Sequence, residues 1–369
     1  MAPSDRLQSI AQARQAYLLE HGQGRSLSTA PALSPWLQRS WQRCQGWGLE
    51  PNRRVEFEAV SAAHMRRVQE ASAPLVQAAR PVLAELVRAM GDIGYFAILT
   101  NAQGVVIDVQ GPVDRSDRRA DVIARVGVDL SERAVGTTAI GAALAELQPV
   151  WLHRGEHFFD DTSVYSCAGA PVFGPDGRCA GMLDLTGVEV HERPALKHLV
   201  RRSARSIENS WLLAAPHALT LRLNWPGNQP GDDSDGLLTL DADGQITGAN
   251  PTARQMLALE AGSGQTHASD VFAMPWENLF DAARRDEGCC EVPLWSGLRL
   301  QTQAHRAGRA PANASVASAA HGLGKALRDV ETELIRQAVV QAKGNVAEAA
   351  RALGISRATV YRKLGKSVP

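Results

Sequence analysis

Apolar and polar residues alternate with different periods along the chain, and these periods divide it into regions. Over residues 1–80, apolar residues recur every three or four positions, which predicts helices. Between residues 81 and 213, the stretches YFAILTNAQGVVIDVQ and APVFGPDGRCAGMLDLTG place β-branched and aromatic runs on either side of a glycine-containing turn. Each stretch therefore predicts an antiparallel hairpin.

Two helices are predicted in the same region. The stretch VGTTAIGAALAEL lies between the hairpins and predicts a helix with Thr137 or Thr138 as its N-cap. A second helix, predicted over residues 194–213, could pair with the same helix of a second copy of the chain. Its apolar face is formed by Leu196, Val200, Ala204, Ile207 and Trp211.

Composition marks the remaining boundaries. Proline and acidic residues in 214–234 indicate a linker, and the small and polar residues of 304–323 indicate a flexible tether. Between them, GLLTLDADGQITGANPTARQML predicts a strand, an Asp-Gly turn, a second strand and a helix. We therefore divide the chain into 1–80, 81–213, 214–234, 235–303, 304–323 and 324–369.

Residues 324–369 predict a helix followed by a helix-turn-helix. Val339 belongs to an apolar stripe on the first of these helices, and Asn345 has the position and residue type of an N-cap for the next. Val346 and Ala350 are predicted to face inward on that helix. Gly354 then provides the turn before the last helix.

The outer face of the last helix is basic. From Lys343 to Lys366 the sequence contains six cations and one acid, Glu348. Arginine can contact guanine through two hydrogen bonds, whereas lysines suit the phosphates. The alternative is a two-helix packing module with a solvated basic face. The residues predicted to contact double-stranded DNA are Asn345, Ser356, Arg357, Ala358, Thr359, Tyr361, Arg362, Lys363 and Lys366.

Overall composition adds little about partners but limits the compartment. The 369 residues include 39 basic and 39 acidic side chains, so the net charge favours no partner. No apolar run approaches the roughly 18 residues of a membrane span, and the N-terminus does not resemble a signal peptide. The five scattered cysteines indicate free thiols in a reducing compartment. We therefore expect a cytoplasmic protein with no membrane contact.

One loop and two strands hold candidate sensor residues. HRGEHFFDDTSVYSC contains metal-ligating residue types, but their spacing matches no closed zinc pattern, so neither a metal nor a cofactor is predicted. A pocket for a small organic ligand is favoured over a structural loop or a purely dimerising domain. Cys167 could be a redox sensor, although a buried thiol is more often a small hydrophobe. Asp184 could face the pocket or cap the following turn. The predicted ligand contacts are His157, Tyr165, Cys167 and Asp184.

Motifs along most of the chain resemble one family. SWQRCQGWGLEP resembles the SW-x-RC motif of regulators of the acetoin-catabolism and dihydroxyacetone type. DLSERAVGTTAIGAALAELQPVWLHRGEHF resembles their GAF sensor domain, and GLLTLDADGQITGANPTARQML is similar to their degenerate PAS-like module. GNVAEAARALGISRATVYRKLGK resembles the Fis-type helix-turn-helix of bacterial enhancer-binding activators.

The resemblance implies an α+β multidomain fold. It consists of a GAF α/β sandwich, a degenerate PAS-like domain and a C-terminal all-α Fis-type helix-turn-helix. The resemblance also implies a homodimer formed by the helix at about 326–342, with two recognition helices reading an inverted repeat.

The sequence departs from that family at its centre. Full-length members carry an ATPase domain that remodels the sigma-54 polymerase and requires a G-x-x-x-x-G-K-[ST] loop. The two Gly-Lys pairs, at 324–325 and 365–366, have Ala319 and Val360 where the first glycine should stand, and the GAFTGA loop is also missing. We therefore expect DNA binding without ATPase activity. The chain could repress by occupancy, antagonise or pair with a full-length relative, or contact the ordinary RNA polymerase.

An enzyme is the least favoured alternative. Some GAF domains reduce free methionine sulfoxide with paired cysteines, and Cys167 with Cys179 could suggest such a pair. The cysteine pattern of that family is not reproduced, and the basic C-terminal segment would remain unexplained. No enzymatic activity is therefore expected.

Overall fold

The computed structural model describes two groups of residues separately. Leu33–Ser315 belongs to one compact unit, and Met1–Ala32 with Val316–Pro369 belongs to the other. In the second group, helix α1 spans Pro3–Arg14 and a π-helical turn follows at Gln15–Leu19. The described residues are 3–19, 33–91, 93–262, 266–285, 287–307, 339, 346 and 350.

The first sheet contains both predicted hairpins. Its five strands lie in the order β2-β1-β5-β4-β3 and pair antiparallel throughout. Ala97 pairs with Gln110 in the first hairpin, and Ala170 pairs with Leu183 in the second. The strands are β1 (Tyr95–Asn101), β2 (Val106–Gln110), β3 (Val150–His153), β4 (Tyr165–Phe173) and β5 (Cys179–Val188).

Helices cover this sheet, and they form the first module together with it. Every residue of β1 is buried, which requires cover on both faces of the sheet. Thr138 is the N-cap of the predicted central helix, because its hydroxyl accepts a hydrogen bond from the Gly141 amide at 3.2 Å. The helices are α2 (Pro35–Gly46), α3 (Ala62–Met90), α4 (Arg118–Ile123), α5 (Glu132–Val135), α6 (Ala139–Glu146) and α7 (Leu196–Ala214).

Helix α7 uses its apolar face within the chain. The face packs against α3 and β4, and Val200 and Ile207 are fully buried there. Leu196 and Ala204 are buried as well, and Trp211 is half-buried. The expectation that this face pairs with a second copy is therefore wrong, because the core of the first module already covers it.

The second sheet begins inside the predicted linker. Leu219–Asn224 forms β6, which lies at the centre of the strand order β8-β7-β6-β10-β9. The interpretation of 214–234 as a linker is therefore wrong for these residues. Leu219, Leu221 and Leu223 alternate with polar residues and are fully buried, so the period of a strand is present in the sequence. Its signal is obscured by the prolines that follow.

Three helices complete the second module. Their apolar residues pack with Leu221 and Leu238 of the sheet into one core. Strand β10 ends at Arg306 and therefore extends past the predicted start of the tether at residue 304. The remaining elements are β7 (Gly236–Leu240), β8 (Ile246–Ala249), α8 (Pro251–Leu257), α9 (Ala268–Val271), α10 (Glu277–Arg285), β9 (Cys290–Pro293) and β10 (Arg299–Arg306).

Asn250 joins the two modules. Its side-chain amide donates to Asn209 Oδ1 on α7 and to the Asp235 carbonyl, both at 2.9 Å. Its Oδ1 accepts from the amides of Leu237 at 3.0 Å and Ala253 at 2.8 Å, and the second bond caps α8. One buried side chain therefore links α7, β7 and α8.

The second module also holds the turn between β4 and β5. The Pro175 carbonyl accepts from the Ala249 amide at 3.1 Å and from Arg254 Nη2 at 2.9 Å. The Gly262 amide donates to the Asp176 carbonyl at 3.0 Å. The far end of the β4–β5 hairpin is therefore fixed to the second module.

Replacing Asn250 by alanine is expected to lower the free energy of unfolding by about 2 kcal/mol, because it removes an N-cap and leaves buried polar partners unsatisfied. Urea titration of the whole chain measures this loss. Asn228→Ala is the matched control, since Asn228 is exposed, and it should change the value by less than about 0.5 kcal/mol. Equal midpoints for the two variants would contradict the role assigned to Asn250.

Candidate ligand cavity and DNA-binding segment

The residues predicted to contact DNA lie outside the described part of the chain. Three neighbouring positions are described. Val339, Val346 and Ala350 are helical and buried, as the apolar pattern predicted. The predicted contacts Asn345, Ser356, Arg357, Ala358, Thr359, Tyr361, Arg362, Lys363 and Lys366 stay predictions.

All four predicted ligand contacts line one small cavity of the first module. His157 comes from the loop after β3, Tyr165 and Cys167 from β4, and Asp184 from β5. The cavity offers about 30 Å³ of space for the centres of water molecules, and one water needs roughly 10–15 Å³ of such space. Its other walls are mainly aliphatic and include Ile98, Ile123, Leu130, Val135, Ala139 and Ile140.

A chain of hydrogen bonds connects the polar residues of the cavity. His157 Nδ1 lies 2.8 Å from the Arg154 carbonyl, which can only accept, so Nδ1 carries the hydrogen. Nε2 of the neutral ring is then an acceptor for the Cys167 thiol, 3.5 Å away. The Thr186 hydroxyl donates to Cys167 Sγ at 3.3 Å. This arrangement suits a protonated thiol.

Cys167 is therefore poorly suited to thiolate chemistry. Its burial, with the nearby Asp184 carboxyl, raises its pKa well above the ordinary value. Nucleophilic and redox-sensing cysteines instead require a depressed pKa. Of the two interpretations of Cys167, the structure favours the buried small side chain.

Asp184 faces the cavity instead of capping a turn. The side chain is fully buried, and its Oδ2 forms a hydrogen bond with the Thr186 hydroxyl. Burial raises its pKa to about 7. Thr186 has a single hydroxyl hydrogen, so when it donates to Cys167, a protonated Asp184 must donate to Thr186 Oγ1. Asp184 Oδ1 has no hydrogen-bond partner among the described residues.

Tyr165 contributes its ring to the cavity. The hydroxyl donates to the Arg119 carbonyl at 2.9 Å. The ring meets the His157 ring edge-on, with centroids 6.3 Å apart. Tyr165 therefore presents mainly apolar surface to the cavity, while its hydroxyl is bonded to Arg119 in the first turn of α4.

A strap formed by residues 51–60 passes over the cavity and was not recognised in the sequence. Phe57 of the strap lines the cavity. The strap is attached at both ends, because the Asp160 amide donates to the Pro51 carbonyl at 2.9 Å and the Val60 amide donates to the Gly127 carbonyl at 2.8 Å. The alternation of apolar and acidic residues in VEFEA could have revealed an extended segment with one face inward.

A polar cleft lies along the strap. It measures about 300 Å³ and is lined by charged side chains of both signs. Neighbouring residues line the cleft and the cavity, since Glu58 lines the first and Phe57 lines the second. The charged residues of the cleft are Arg53, Arg54, Glu56, Glu58, Asp129 and Arg133.

The motif SWQRC on α2 fastens the N-terminal part of the first module to the wall of the cavity. The Ser40 hydroxyl donates a hydrogen bond to Glu132, and its oxygen can accept one from the Thr137 hydroxyl, 2.7 Å away. Trp41 is fully buried, and its Nε1 donates to the Glu156 carbonyl at 3.0 Å. Thr137 directly precedes Thr138, which lines the cavity.

Arg43 of the same motif forms a buried ion-pair network. It pairs with Glu132 at 2.6 Å and with Glu146 at 2.8 Å. The two carboxylates retain only 6% and 8% of their side-chain exposure. Arg39 pairs with Glu146 from the outside, with 51% of its side chain exposed.

Cys167 and Cys179 lie at opposite ends of the β4–β5 hairpin. Cys167 pairs with Thr186, whereas Cys179 pairs with Phe173. Six residues along a strand separate the two positions by about 20 Å, far beyond the reach of a disulfide. The pair of cysteines considered for a reductase is therefore not brought together.

No group of three or more His, Cys, Asp or Glu side chains in the described ranges could hold a metal ion. No helix within the described residues is long and apolar enough to cross a bilayer.

Two families match the sequence. Residues 11–209 match the family described as "MimR, N-terminal domain", and residues 326–366 match "Bacterial regulatory protein, Fis family". The chain is 33% identical to the acetoin catabolism regulatory protein of Cupriavidus necator over 68% of this chain and 38% of that protein. It is 29% identical to the propane 2-monooxygenase operon transcriptional activator MimR of Mycolicibacterium goodii, over 48% of this chain and 30% of that activator.

A solved structure shows a further similarity. The crystal structure of the E. coli DhaR(N)–DhaL complex aligns with 74% of this chain and 99% of the matched chain, at 15% identity and a TM-score of 0.46. The chain spans about four tenths or less of the length of the two regulators above. Since the match to residues 11–209 covers more than half of the 369 residues, the chain belongs to the family defined by the MimR N-terminal domain, here joined to a Fis-type helix-turn-helix segment.

Proposed function

We propose that this chain is a transcription regulator that binds double-stranded DNA through residues 324–369. The observation that carries the proposal is the match of residues 326–366 to the Fis family. The six cations of the segment 343–366 give this part a strongly positive face, which favours a polyanionic partner. Val346 and Ala350 are buried on the helix that would support the reading helix.

The first module would be a GAF-type sensor for a small molecule. Its cavity combines aliphatic walls with a few convergent polar groups, which is the usual composition of a ligand site. The β4–β5 hairpin carries Cys167 and Asp184 beside the cavity and the turn at Pro175 beside the second module. A ligand that moved the hairpin would therefore change the contact between the two modules, provided that it bound the two arrangements with different affinity.

The chain would bind DNA as a homodimer and without hydrolysing ATP. The 369 residues contain neither a phosphate-binding G-x-x-x-x-G-K-[ST] loop nor a GAFTGA loop. It would therefore not drive open-complex formation at sigma-54 promoters by itself. Repression by occupancy, antagonism of or pairing with a full-length activator, and contact with the ordinary RNA polymerase are the modes compatible with these features.

A genome-wide map of bound DNA tests the proposal, together with an ATPase assay on the purified chain. We expect a limited set of bound fragments and no nucleotide hydrolysis above background. Binding should weaken steeply as salt increases, because phosphate contacts release counterions. Failure to bind any genomic fragment at low ionic strength would refute DNA binding, and ATP hydrolysis would refute the absence of a motor.

Arg357 and Lys366 are expected to contribute to DNA binding in different ways. Arg357→Ala should relax base preference at one operator position by about 1–3 kcal/mol, because arginine reads guanine edges. Lys366→Ala should weaken all sequences alike and reduce the salt slope by about one unit. Titration of an operator and its single-base variants at several salt concentrations separates the two effects. Equal, sequence-independent losses would contradict the placement of Arg357 in the groove.

A further inference from the structure

The solvent-facing side of α7 carries positive charge along much of its length. The apolar side of the helix lies in the core of the first module, where Val200 and Ile207 are fully buried. Residues three or four positions apart share one side of a helix. The opposite side of α7 is formed by five such residues, which we call the basic stripe: Lys197, His198, Arg201, Arg202 and Arg205.

The charged ends of the basic stripe can reach solvent. His198 and Arg201 are exposed, and the other three residues are half-buried. Lysine and arginine commonly lay their aliphatic stems on the protein surface and keep the charged group in water. The stripe therefore adds positive potential to the outside of the first module.

No acid of α7 neutralises this charge. Within the described residues, the lysine and the three arginines of the stripe form no ion pair, whereas Arg115, Arg119 and Arg125 of the same module each pair with a carboxylate. Glu208 is the one acid of α7. It is buried and accepts a hydrogen bond from the Phe173 amide at 2.9 Å. The exposed side of the helix thus has charge of a single sign.

The spacing of the stripe suits a regular polyanion. Lys197, Arg201 and Arg205 follow one another at intervals of four residues, so they form a row about 12 Å long on a rigid helix. One strand of duplex DNA places a phosphate at about every 3.4 Å along the axis. The row therefore covers the rise of three or four phosphates of one strand.

Two other partners fit the stripe less well. A helix that lies on a membrane inserts its apolar side between the lipids, but the apolar side of α7 is covered by the protein core. Pairing of the stripe with the same stripe of a second copy would place like charges opposite each other. Duplex DNA is the polyanion that the C-terminal segment would bring close, and tethering raises its effective concentration at the stripe.

We infer that the basic stripe of α7 binds the phosphate backbone of duplex DNA as a second contact, beside the helix-turn-helix segment. This inference rests on the proposed DNA-binding function and adds an interaction surface on the sensor module. Phosphate contacts position a protein without reading bases. The stripe therefore strengthens binding to all sequences alike, and sequence preference stays with the C-terminal segment.

The test compares the full wild-type chain with the triple variant Lys197→Gln/Arg201→Gln/Arg205→Gln. Fluorescence anisotropy gives the affinity for a duplex of about 60 base pairs that carries a bound genomic site, and for the same duplex with that site scrambled, at several salt concentrations. We expect the slope of log affinity against log salt to decrease by about two units on both duplexes, because each lost phosphate contact removes about 0.9. Near 0.1 M salt the affinity should fall roughly 10- to 100-fold.

Two further variants separate this contact from net charge and from folding. Arg284→Gln/Arg285→Gln/Arg299→Gln removes the same charge from exposed, ion-paired positions of the second module, and it should change the slope by less than about half a unit. Arg201→Lys/Arg205→Lys keeps the charge and should keep the wild-type slope. Circular dichroism melts verify that each variant is folded. A wild-type slope in the triple variant, or an equal decrease in the second-module variant, overturns the inference.

Photocrosslinking locates the contact directly. A benzophenone side chain at position 198, within the stripe, should crosslink to both duplexes. The same group at position 243, in the exposed β7–β8 turn, should not. Absence of a DNA crosslink from position 198, or a crosslink from there only to an acidic protein in a cell extract, contradicts the assignment of DNA to this surface.

The two duplexes distinguish this inference from the proposed regulator. If the stripe contributes to binding as expected but the chain does not prefer the genomic site over the scrambled one, the second DNA contact stands and the sequence-specific regulator fails. If the chain prefers the genomic site and the triple variant binds like the wild type, the regulator stands and the second contact fails.

Discussion

Replacing Arg43 by alanine is expected to lower the free energy of unfolding of the first module by about 3 kcal/mol. The change leaves the Glu132 and Glu146 carboxylates buried without the cation that bonds to both of them. Removal of one partner from a buried ion pair typically costs about 3–5 kcal/mol, and the partial exposure of Arg43 places the expected value at the lower end. Urea titration followed by tryptophan fluorescence measures the loss.

Arg39 provides the matched control for this prediction, because it lies on the same helix and bonds to the same Glu146 carboxylate. Its guanidinium is the main cause that lowers the pKa of Glu146, ahead of Arg43. Half of the Arg39 side chain is nevertheless in water, where screening reduces an ion pair to about 0–1 kcal/mol. Arg39→Ala should therefore have little effect. A loss as large as that of Arg43→Ala would show that burial is not what distinguishes the two.

The same network explains why the SWQRC motif matters for the cavity. Ser40 bonds to Thr137, and Arg43 bonds to Glu132 at the start of α5. Val135 lies between these two bonded residues along the chain. Thr138 directly follows Thr137, and both Val135 and Thr138 line the cavity. The motif therefore fixes one wall of the cavity from outside, although none of its own residues lines it. We expect loosening of the motif to alter ligand affinity before it abolishes folding.

Local patterns were sufficient to predict the hairpins of the first sheet. In β1–β2 and β4–β5, the turn residues and the flanking β-rich runs lie within one short stretch, so pairing needs no information from elsewhere in the chain. The Thr138 cap follows from the same kind of local signal, since its partner Gly141 is three residues away. The structure confirms these predictions. They could be made from the sequence because the interactions behind them are local.

Long-range packing decided the predictions that were wrong. The apolar face of α7 is present in the sequence, but periodicity alone does not identify whether α3 or a second chain covers it. Strand β6 has the alternation of a strand, yet its neighbours β7 and β10 start 12 and 75 residues after its own end at Asn224. Such pairing depends on tertiary contacts that a window of the sequence does not contain.

The candidate ligand residues were predicted as a set, but their chemistry was not. Residue type suggested His157, Cys167 and Asp184, and the structure places all of them around one cavity. Which nitrogen of His157 carries the hydrogen depends on the Arg154 carbonyl, and the unpartnered oxygen of Asp184 depends on Thr186. Both contacts join residues only two or three positions apart, but they depend on backbone and side-chain geometry that residue type does not specify.

Raising the pH from 5.5 to 8.5 is expected to lower the free energy of unfolding by about 5 kcal/mol, with two buried acids responsible. Burial raises the pKa of Asp184 to about 7 and that of Glu208 to about 8. In the unfolded chain both ionise near pH 4, so unfolding releases their protons over this range. Stability then falls by about 1.4 kcal/mol per pH unit for each group, until the folded group ionises.

The neighbours of these acids agree with this direction. Glu208 on α7 accepts from the Phe173 amide at 2.9 Å, and the Arg205 charge offsets only part of the effect of burial. Asp184 faces Thr186 and the uncharged Cys167 thiol. Burial also raises the pKa of Asp235. Carboxyls whose pKa is lowered in the folded chain change the stability only below pH 5.5, because they are ionised in both states above it. They are Asp114, Asp117, Asp121, Glu146 and Glu189.

Urea titrations at pH 5.5, 6.5, 7.5 and 8.5 test the prediction with two neutral variants. Asp184→Asn imitates the protonated carboxyl, since its amide can donate to Thr186. It should match the wild type at pH 5.5 and exceed it by about 2 kcal/mol at pH 8.5, and Glu208→Gln by about 3 kcal/mol. Asp243→Asn in the exposed β7–β8 turn should leave the slope unchanged. If stability were independent of pH, the two acids would have to be ionised in the folded chain, and burial would not control their protonation.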